Sequence, residues 1–206
     1  MSTAVPTDAP GHPLSRLPVL FVCTGNVCRS PVAAWAWERA LDGRGVTAQV
    51  STAGHGALVG ASPDPLAEAA AREAGLTPRT HRARQLAAAD VQAAHVVLAL
   101  DRDGRRAAVE LVPRASRYSF TLIEFGRLVT DLVASGTTVA PDGIVAAAAS
   151  RRGFAVGPRD LRDDDVPDPY GRLPRRHAEA VTRIVAETER VVEAVMLLSV
   201  ESPVRS

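Results

Sequence analysis

Lysine is absent from this chain of 206 residues, and all 24 of its basic side chains are arginine. The absence excludes mechanisms that require a lysine, such as a nucleotide-binding P-loop or a Schiff base. Aromatic residues make up only 4% of the sequence, so the core must consist mainly of Ala, Val and Leu. The formal net charge is +1, which favours neither nucleic acid nor a membrane as a partner, and we expect neither.

Cysteine is also scarce, because Cys23 and Cys28 are the two cysteines of the sequence. Two thiols in one short segment cannot close a long loop, which excludes the disulfide scaffold of small secreted domains. Without histidine or acidic ligands nearby in the sequence, the two thiols also make a poor zinc site. We therefore expect no metal and no cofactor.

Long apolar stretches are missing as well, since no run reaches the 18 residues of a membrane-spanning helix. Residues 1–17 lack the continuous apolar core of a signal peptide, and their content of Pro, Ser, Thr and Gly predicts a disordered tail. Together with the free cysteines, these features predict a cytoplasmic protein.

From residue 18 onward, short apolar runs alternate with helical patterns. Strands are predicted at residues 18–23, 48–53 and 96–100, and helices at 33–41, 65–74, 103–112 and from Pro174 onward. The alternation predicts an α/β fold with a central, mostly parallel sheet of about four strands flanked by helices. We expect one domain over residues 18–200, with a helical elaboration at 121–160 that opens with a capping box at Thr121 and Glu124.

Cys23 opens the most informative segment, a C-x5-R-S pattern that ends at Arg29 and Ser30. A loop between a strand and a helix directs backbone N–H groups inward, which favours a bound anion and lowers the pKa of a cysteine at its start. Arg29 could hold two phosphate oxygens in a bidentate contact. The pattern predicts a nucleophilic Cys23 above a phosphate site made by Thr24, Gly25, Asn26, Val27, Cys28 and Ser30. The alternative is a buried core cysteine at a strand end.

A second candidate is Asp168, in the segment Asp168-Pro169-Tyr170-Gly171. A carboxylic acid near a bound phosphate could protonate a departing phenolate. However, Asp-Pro-x-Gly is also ordinary turn chemistry, and from the residues alone the turn is the better interpretation. Three aspartates at 163–165 compete for the acid role, but a run of charges usually forms a solvated face.

The segment at residues 22–31 resembles the signature of low-molecular-weight protein-tyrosine phosphatases, Val-Cys-x-Gly-Asn-x-Cys-Arg-Ser-Pro. Further segments are similar to family motifs and follow in the family's order: Thr52-Ala53-Gly54, then residues 62–65, 81–86 and 168–170. The resemblance covers residues 18–118 and 166–200.

The resemblance implies roles for particular side chains. Cys23 would be the nucleophile, Arg29 the phosphate ligand and Asp168 the general acid. His81 would contact Asn26 from behind the loop. Tyr170 would line the mouth of the pocket.

The resemblance also implies an activity, the metal-independent hydrolysis of phosphotyrosine in proteins through a cysteinyl-phosphate intermediate. A phosphotyrosine protein is then the expected partner, with a tyrosine kinase as a candidate. Paired loop cysteines in the family imply that Cys28 could protect Cys23 by a reversible disulfide. The family often has an aromatic residue where residues 55–59 of this chain have none, and residues 121–160 lie outside the family core.

Three other functions stay open. An arsenate reductase of the same fold would need an external thiol, because no cysteine follows Cys28. A protein-arginine phosphatase would have Thr at the position of Val27. A non-catalytic phosphate-binding module would need neither Cys23 nor Asp168.

Overall fold

The computed structural model describes residues 17–199 apart from 48, 156, 158 and 159. Within these residues the chain forms one sheet of four parallel strands in the order β2-β1-β3-β4. The strands are β1 (Val19–Cys23), β2 (Val50–Gly54), β3 (Val96–Ala99) and β4 (Ser119–Thr121). The predicted central sheet is therefore confirmed. In this order the chain direction across the sheet reverses between β1 and β3, where ligands of such sheets usually bind.

Seven α-helices connect and cover the strands within the same part of the chain. They are α1 (Arg29–Asp42), α2 (Pro65–Glu73), α3 (Ala88–Ala93), α4 (Arg102–Leu111), α5 (Leu122–Ala134), α6 (Ile144–Ser150) and α7 (Pro174–Leu198). Three short 3-10 helices lie at Pro113–Arg117, Pro141–Gly143 and Leu161–Asp164. No helix of the described residues is both long and apolar enough to cross a membrane.

Side chains of β1 alternate between two hydrophobic clusters, as the two-residue period of a strand requires. Phe21 and Cys23 face a large cluster with α1, α2, α5, α6 and α7, whereas Leu20 and Val22 face a smaller one with α3 and α4. Both faces of β1 are buried. The strand that ends at Cys23 is thus held rigidly from both sides.

The predicted strands and helices lie within a few residues of those observed, but β4 and α3 were not predicted. β4 is three residues long, and two of them, Ser119 and Thr121, are polar although buried. Such a strand has no apolar run to reveal it. The predicted capping box is present, since Thr121 Oγ1 accepts from the Glu124 N–H at 3.0 Å and Glu124 Oε2 accepts from the Thr121 N–H at 3.3 Å.

Two sequence-based expectations fall largely outside the described residues. Of the predicted tail at 1–17, the structure describes Leu17, which is buried against the core. Ala48, the first residue of the predicted second strand, is not described. Within residues 121–160, α5 packs against both α6 and α7. The domain limits and the status of 121–160 as an elaboration remain predictions.

Gly54 ends β2 at a place where the next segment leaves no room for a side chain. It is paired with Cys23 in the sheet register, so the loop after β1 folds back over it. A Cβ atom on Gly54 would lie 2.3 Å from the carbonyl oxygen of Thr24 and 3.0 Å from the backbone nitrogen of Asn26. Only glycine allows the loop to approach β2 this closely.

We expect Gly54→Ala to lower the free energy of unfolding by about 1–3 kcal/mol, because the backbone of the loop must shift to relieve the contact. Gly43→Ala is the matched control. Gly43 has an ordinary helical φ of −62°, and an added Cβ would come no nearer than 3.9 Å to another atom. Urea denaturation of both variants checks this, and equal stabilities would contradict the proposed close approach.

Candidate active site

The loop between β1 and α1 turns its backbone carbonyls outward. They accept hydrogen bonds from the segment after β2 and from His81. The pairs are Cys23 O with His55 N at 3.0 Å, Thr24 O with Gly56 N at 3.1 Å, Gly25 O with Leu58 N at 3.0 Å, Val27 O with Asp64 N at 2.9 Å, and Asn26 O with His81 Nε2 at 2.7 Å. Since N–H and C=O point in opposite directions across a peptide unit, the loop N–H groups are directed toward its centre. A ring of such donors at a helix N-terminus is an anion-binding site.

Asn26 fixes this arrangement. Its φ of +57° is in the left-handed region, which asparagine tolerates better than most residues. The buried Nδ2 donates to Ser30 Oγ at 2.9 Å and to Thr52 Oγ1 at 3.0 Å, and Oδ1 accepts from the Arg84 N–H at 2.9 Å. Neither Thr52 nor Arg84 was predicted as part of the site. Their contribution depends on contacts between distant segments, which the sequence does not display.

The Cys23 sulfur lies at the base of the loop, with the side chain only 2% exposed. Sγ is 3.0 Å from Ser30 Oγ and accepts from the Asn26 N–H at 3.3 Å. Both groups can donate to a thiolate. They can therefore stabilise the charged form of the sulfur.

The pKa of Cys23 reflects two opposing influences. Burial raises the pKa of the thiol above its ordinary value, whereas the Arg29 guanidinium, the Ser30 hydroxyl and the N–H groups of Ser30 and Asn26 lower it. The net direction is upward, opposite to the sequence-based expectation, because little solvent reaches the sulfur. Its conversion to thiolate therefore depends strongly on the hydrogen-bond donors around it.

Arg29 is buried and held by four acceptors. Its Nη1 donates to Asp101 Oδ2 at 2.6 Å and to the Val166 carbonyl at 3.0 Å. Its Nη2 donates to Asp168 Oδ2 at 2.6 Å and to Thr24 Oγ1 at 3.2 Å. Nε is buried and has no partner among the described residues, so it can donate to a ligand oxygen.

Asp101 was not predicted as a site residue. Its Oδ1 caps α4 by accepting from the Gly104 N–H at 2.7 Å, and its other oxygen orients Arg29. The available signal was an aspartate directly after the third buried strand, at the sheet edge that carries Cys23.

Asp168 makes the turn contact considered for its segment and also reaches Arg29. Oδ1 accepts from the Tyr170 N–H at 3.1 Å, which is ordinary turn chemistry, while Oδ2 pairs with Arg29. The aspartates at 163–165 lie elsewhere: Asp164 pairs with Arg127, Asp165 pairs with Arg102, and none of the three lines the pocket. Among these carboxylates Asp168 is the one brought to Cys23 and Arg29.

These groups surround a cavity of about 170 Å³. Its lining residues are Cys23, Thr24, Gly25, Val27, Cys28, Arg29, Gly56, Leu58, Asp168 and Tyr170. Asn26, Ser30 and His81 do not line it and instead support the loop from behind. Leu58 and the exposed Tyr170 form apolar walls, so the segment 55–59 contributes an aliphatic surface to the cavity.

Both cysteines are free thiols and both are buried. Burial also raises the pKa of Cys28, and the neighbouring carboxylates of Asp64 and Asp168 raise it further. The two thiols therefore differ in environment. Cys23 has donors that favour its thiolate, whereas Cys28 lies among acidic groups that oppose it.

We expect Ser30→Ala to slow the alkylation of Cys23 by iodoacetate at neutral pH by about tenfold or more, because a hydrogen bond to a charged group is lost. In the wild type the Ser30 hydroxyl lowers the pKa of Cys23. Its removal should therefore move the pH dependence of the alkylation rate to higher pH. Ser150→Ala, at the end of α6, is the control. An unchanged profile in Ser30→Ala would contradict the proposed contact with the thiolate.

The sequence matches a model of the low molecular weight phosphotyrosine protein phosphatase family over residues 18–131. A low molecular weight protein-tyrosine-phosphatase of Salmonella typhi, Wzb, is 37% identical over 95 residues, which are 46% of this chain and 61% of that protein. A protein-arginine-phosphatase of Geobacillus stearothermophilus is 37% identical over 108 residues, or 52% of this chain and 70% of that protein. The chain thus spans about three fifths of the length of the Salmonella relative.

Solved structures show the same fold beyond the matched segment. A low molecular weight protein tyrosine phosphatase from T. tengcongensis superimposes with a TM-score of 0.64 at 26% identity, covering 86% of this chain and 98% of the other. The match of the family model covers more than half of the chain. The protein therefore belongs to the low molecular weight phosphotyrosine protein phosphatase family.

Proposed function

We propose that this protein hydrolyses phosphotyrosine in proteins through a cysteinyl-phosphate intermediate on Cys23. One observation carries the proposal. The Cys23 sulfur, the Arg29 guanidinium and the Asp168 carboxylate converge on one cavity beside a loop whose N–H groups face inward. This set supplies a nucleophile, a phosphate clamp and an acid, and no metal is required in the reaction.

In the first step the Cys23 thiolate attacks phosphorus and the bond from phosphorus to the tyrosyl oxygen breaks. The loop N–H groups and Arg29 bind the non-bridging oxygens, whose charge they stabilise in the transition state. The tyrosyl oxygen leaves with the proton of Asp168. The products are free tyrosine in the protein and phosphate bound to Cys23.

In the second step water attacks the phosphocysteine and gives its proton to Asp168, which is now a carboxylate. The S–P bond breaks, inorganic phosphate leaves, and the Ser30 hydroxyl stabilises the returning thiolate from 3.0 Å. One carboxyl group thus acts as acid and then as base.

The pairing of Asp168 with Arg29 must change during this cycle. Asp168 Oδ2 accepts a hydrogen bond from Arg29 Nη2 at 2.6 Å, and this carboxylate is partly exposed. A phosphate dianion can take over that donor together with Nε, while Asp101 and the Val166 carbonyl keep Nη1 in place. The released carboxyl group is then positioned to donate its proton to the leaving oxygen.

We expect Cys23→Ser to abolish hydrolysis of p-nitrophenyl phosphate, and Asp168→Ala to lower kcat by about 10²–10⁴, the usual contribution of general acid–base catalysis. The loss in Asp168→Ala should shrink for aryl phosphates with more acidic leaving groups, because these need less protonation. Asp163→Ala is the matched control, since this aspartate does not line the pocket. Turnover by Cys23→Ser would disprove the mechanism.

An arginine phosphatase is the second candidate, and it is favoured by the relative named protein-arginine-phosphatase, of which this chain covers 70%. Against it, Val27 lines the pocket with an apolar β-branched side chain, and Leu58 and Tyr170 add further apolar surface. Such walls suit the face of an aryl ring better than a guanidinium group. We therefore propose phosphotyrosine as the substrate.

We expect the wild type to hydrolyse aryl phosphate with a kcat/KM at least about tenfold above that for phosphoarginine. Val27→Thr should narrow this ratio, because a hydroxyl can hydrogen-bond to a guanidinium group. Val59→Thr, on the exposed segment beside the pocket, is the control. Val32→Thr would be a poor control, because Val32 is buried in the core. A preference for phosphoarginine in the wild type would replace the tyrosine proposal.

Two further alternatives are less well supported. Arsenate reduction would need an external thiol, since both cysteines lie in one loop, and it would leave Asp168 without a function. A phosphate-binding module would need neither Cys23 nor Asp168.

We also propose a cytoplasmic location, where thiols stay reduced, and a phosphotyrosine-containing kinase as a candidate partner. Arsenate reduction and the binding of inorganic phosphate should be measured alongside the hydrolysis of aryl phosphate and phosphoarginine.

A further inference from the structure

A cluster of three metal-binding residue types adjoins the phosphate loop. The sulfur of Cys28, a carboxylate oxygen of Asp64 and a ring nitrogen of His177 all lie within 4.8 Å of one another. Cys28 precedes α1, Asp64 precedes α2, and His177 is in the first turn of α7. The cluster was invisible in the sequence, where His177 is far from both cysteines, and the expectation of a poor zinc site rested on that separation.

His177 is the unusual member. Its side chain is 1% exposed, and neither ring nitrogen has a hydrogen-bond partner among the described residues. Its Nδ1 is 3.8 Å from Asp64 Oδ1, which is too long for a hydrogen bond. A buried imidazole without partners is costly, because its polar atoms have lost water and gained nothing. One of its ring nitrogens belongs to the cluster and is available to bind a metal ion.

Asp64 is held in place for such a ligand. Its Oδ1 accepts from the N–H groups of Leu66 at 2.8 Å and Ala67 at 3.3 Å, as the N-cap of α2. Its own N–H donates to the Val27 carbonyl at 2.9 Å, which fastens it to the phosphate loop. Its Oδ2 makes no hydrogen bond or ion pair within the described residues, and so it can bind a further partner.

We propose that Cys28, Asp64 and His177 bind a divalent transition-metal ion, with Zn²⁺ the best match. Zinc binds sulfur at about 2.3 Å and nitrogen or oxygen at about 2.0–2.2 Å in a tetrahedron, so its ligand atoms lie roughly 3.3–3.7 Å apart. The three ligand atoms lie within 4.8 Å of one another, which exceeds these separations by at most about 1.5 Å, and side-chain movements can close the difference. A thiolate with an imidazole selects zinc over magnesium or calcium, whose preferred ligands are oxygens.

Binding converts the Cys28 thiol to a thiolate that coordinates the metal, and the proton is released to solvent. The fourth position of the tetrahedron is left to water. This ion takes no part in hydrolysis, so the inference is independent of the proposed phosphatase activity. It would join the phosphate loop to the starts of α2 and α7, and it would withdraw Cys28 from any disulfide with Cys23.

Cobalt(II) is a suitable probe, because a thiolate that binds it gives an intense charge-transfer absorption that zinc removes by displacement. The full chain carrying Cys23→Ser, without an affinity tag, retains Cys28 as its one thiol. We expect this variant to show the absorption, and zinc to abolish it. Absence of the absorption from Cys23→Ser, when the wild type shows it, would place the metal on Cys23 and overturn the proposal.

Two substitutions in the Cys23→Ser background identify the other ligands. His177→Gln should weaken cobalt binding by about tenfold or more, since the loss of even an indirect partner of a metal ligand typically costs 10–100-fold. His95→Gln, in a half-buried histidine outside the cluster, should leave binding unchanged. Equal binding by both variants would contradict the assignment.

Asp64→Asn provides a test that preserves folding. Asparagine is as good an N-cap as aspartate, so α2 should stay intact while the charged ligand is lost. We expect cobalt affinity to fall and the circular dichroism spectrum to stay the same. Retained affinity in a folded Asp64→Asn protein would remove Asp64 from the site. In the chain with native Cys23, hydrolysis of aryl phosphate is measured separately, so failure of either proposal is recognised independently.

Discussion

The outward hydrogen bonding of the loop carbonyls is the constraint on which the site depends. Each carbonyl from Cys23 to Val27 accepts a hydrogen bond from the segment after β2 or from His81. A peptide that gives its oxygen to the protein must present its N–H on the other side. The anion site is therefore a consequence of how β2 and residues 55–64 pack around the end of β1. Asn26 and Gly54 matter because one provides the left-handed bend and the other the space for it.

The electrostatics of the site follow from the same packing. Burial that shapes the cavity also disfavours a charged sulfur, so the protein surrounds Cys23 with donors. Arg29 is buried by the same packing, and the carboxylates of Asp101 and Asp168 balance its charge. A buried charge is tolerated when it is paired and hydrogen-bonded, and one of the two partners of Arg29, Asp168, is also the proposed general acid.

The residues of the loop could be predicted because their pattern is local. The loop follows its strand directly and leads into the helix that begins at Arg29, so spacing along the sequence reveals how Cys23, the bend at Gly25 and Asn26, and Arg29 are related. Asp101, Thr52 and the Arg84 backbone could not be predicted in the same way, since they reach the loop from other elements across the sheet edge. The short polar strand β4 was missed because burial of Ser119 and Thr121 is imposed by the sheet rather than by hydrophobicity.

The expectation of a lowered pKa for Cys23 was wrong for a related reason. A sequence pattern suggests which dipoles point at a sulfur, but it says nothing of how much solvent is excluded from it. Likewise, the separation of His177 from the cysteines along the chain concealed their proximity in space. Properties that depend on depth within the fold have no local signature.

The resting contact between Arg29 and Asp168 makes ligand binding an exchange instead of a simple addition. In the proposed reaction an arriving phosphate would displace a carboxylate that already satisfies the guanidinium, so part of the attraction would be cancelled and ground-state affinity would be kept low. The same competition works in reverse after hydrolysis. When inorganic phosphate leaves, Asp168 can return to Arg29 Nη2, so the proposed general acid would also speed the release of the product.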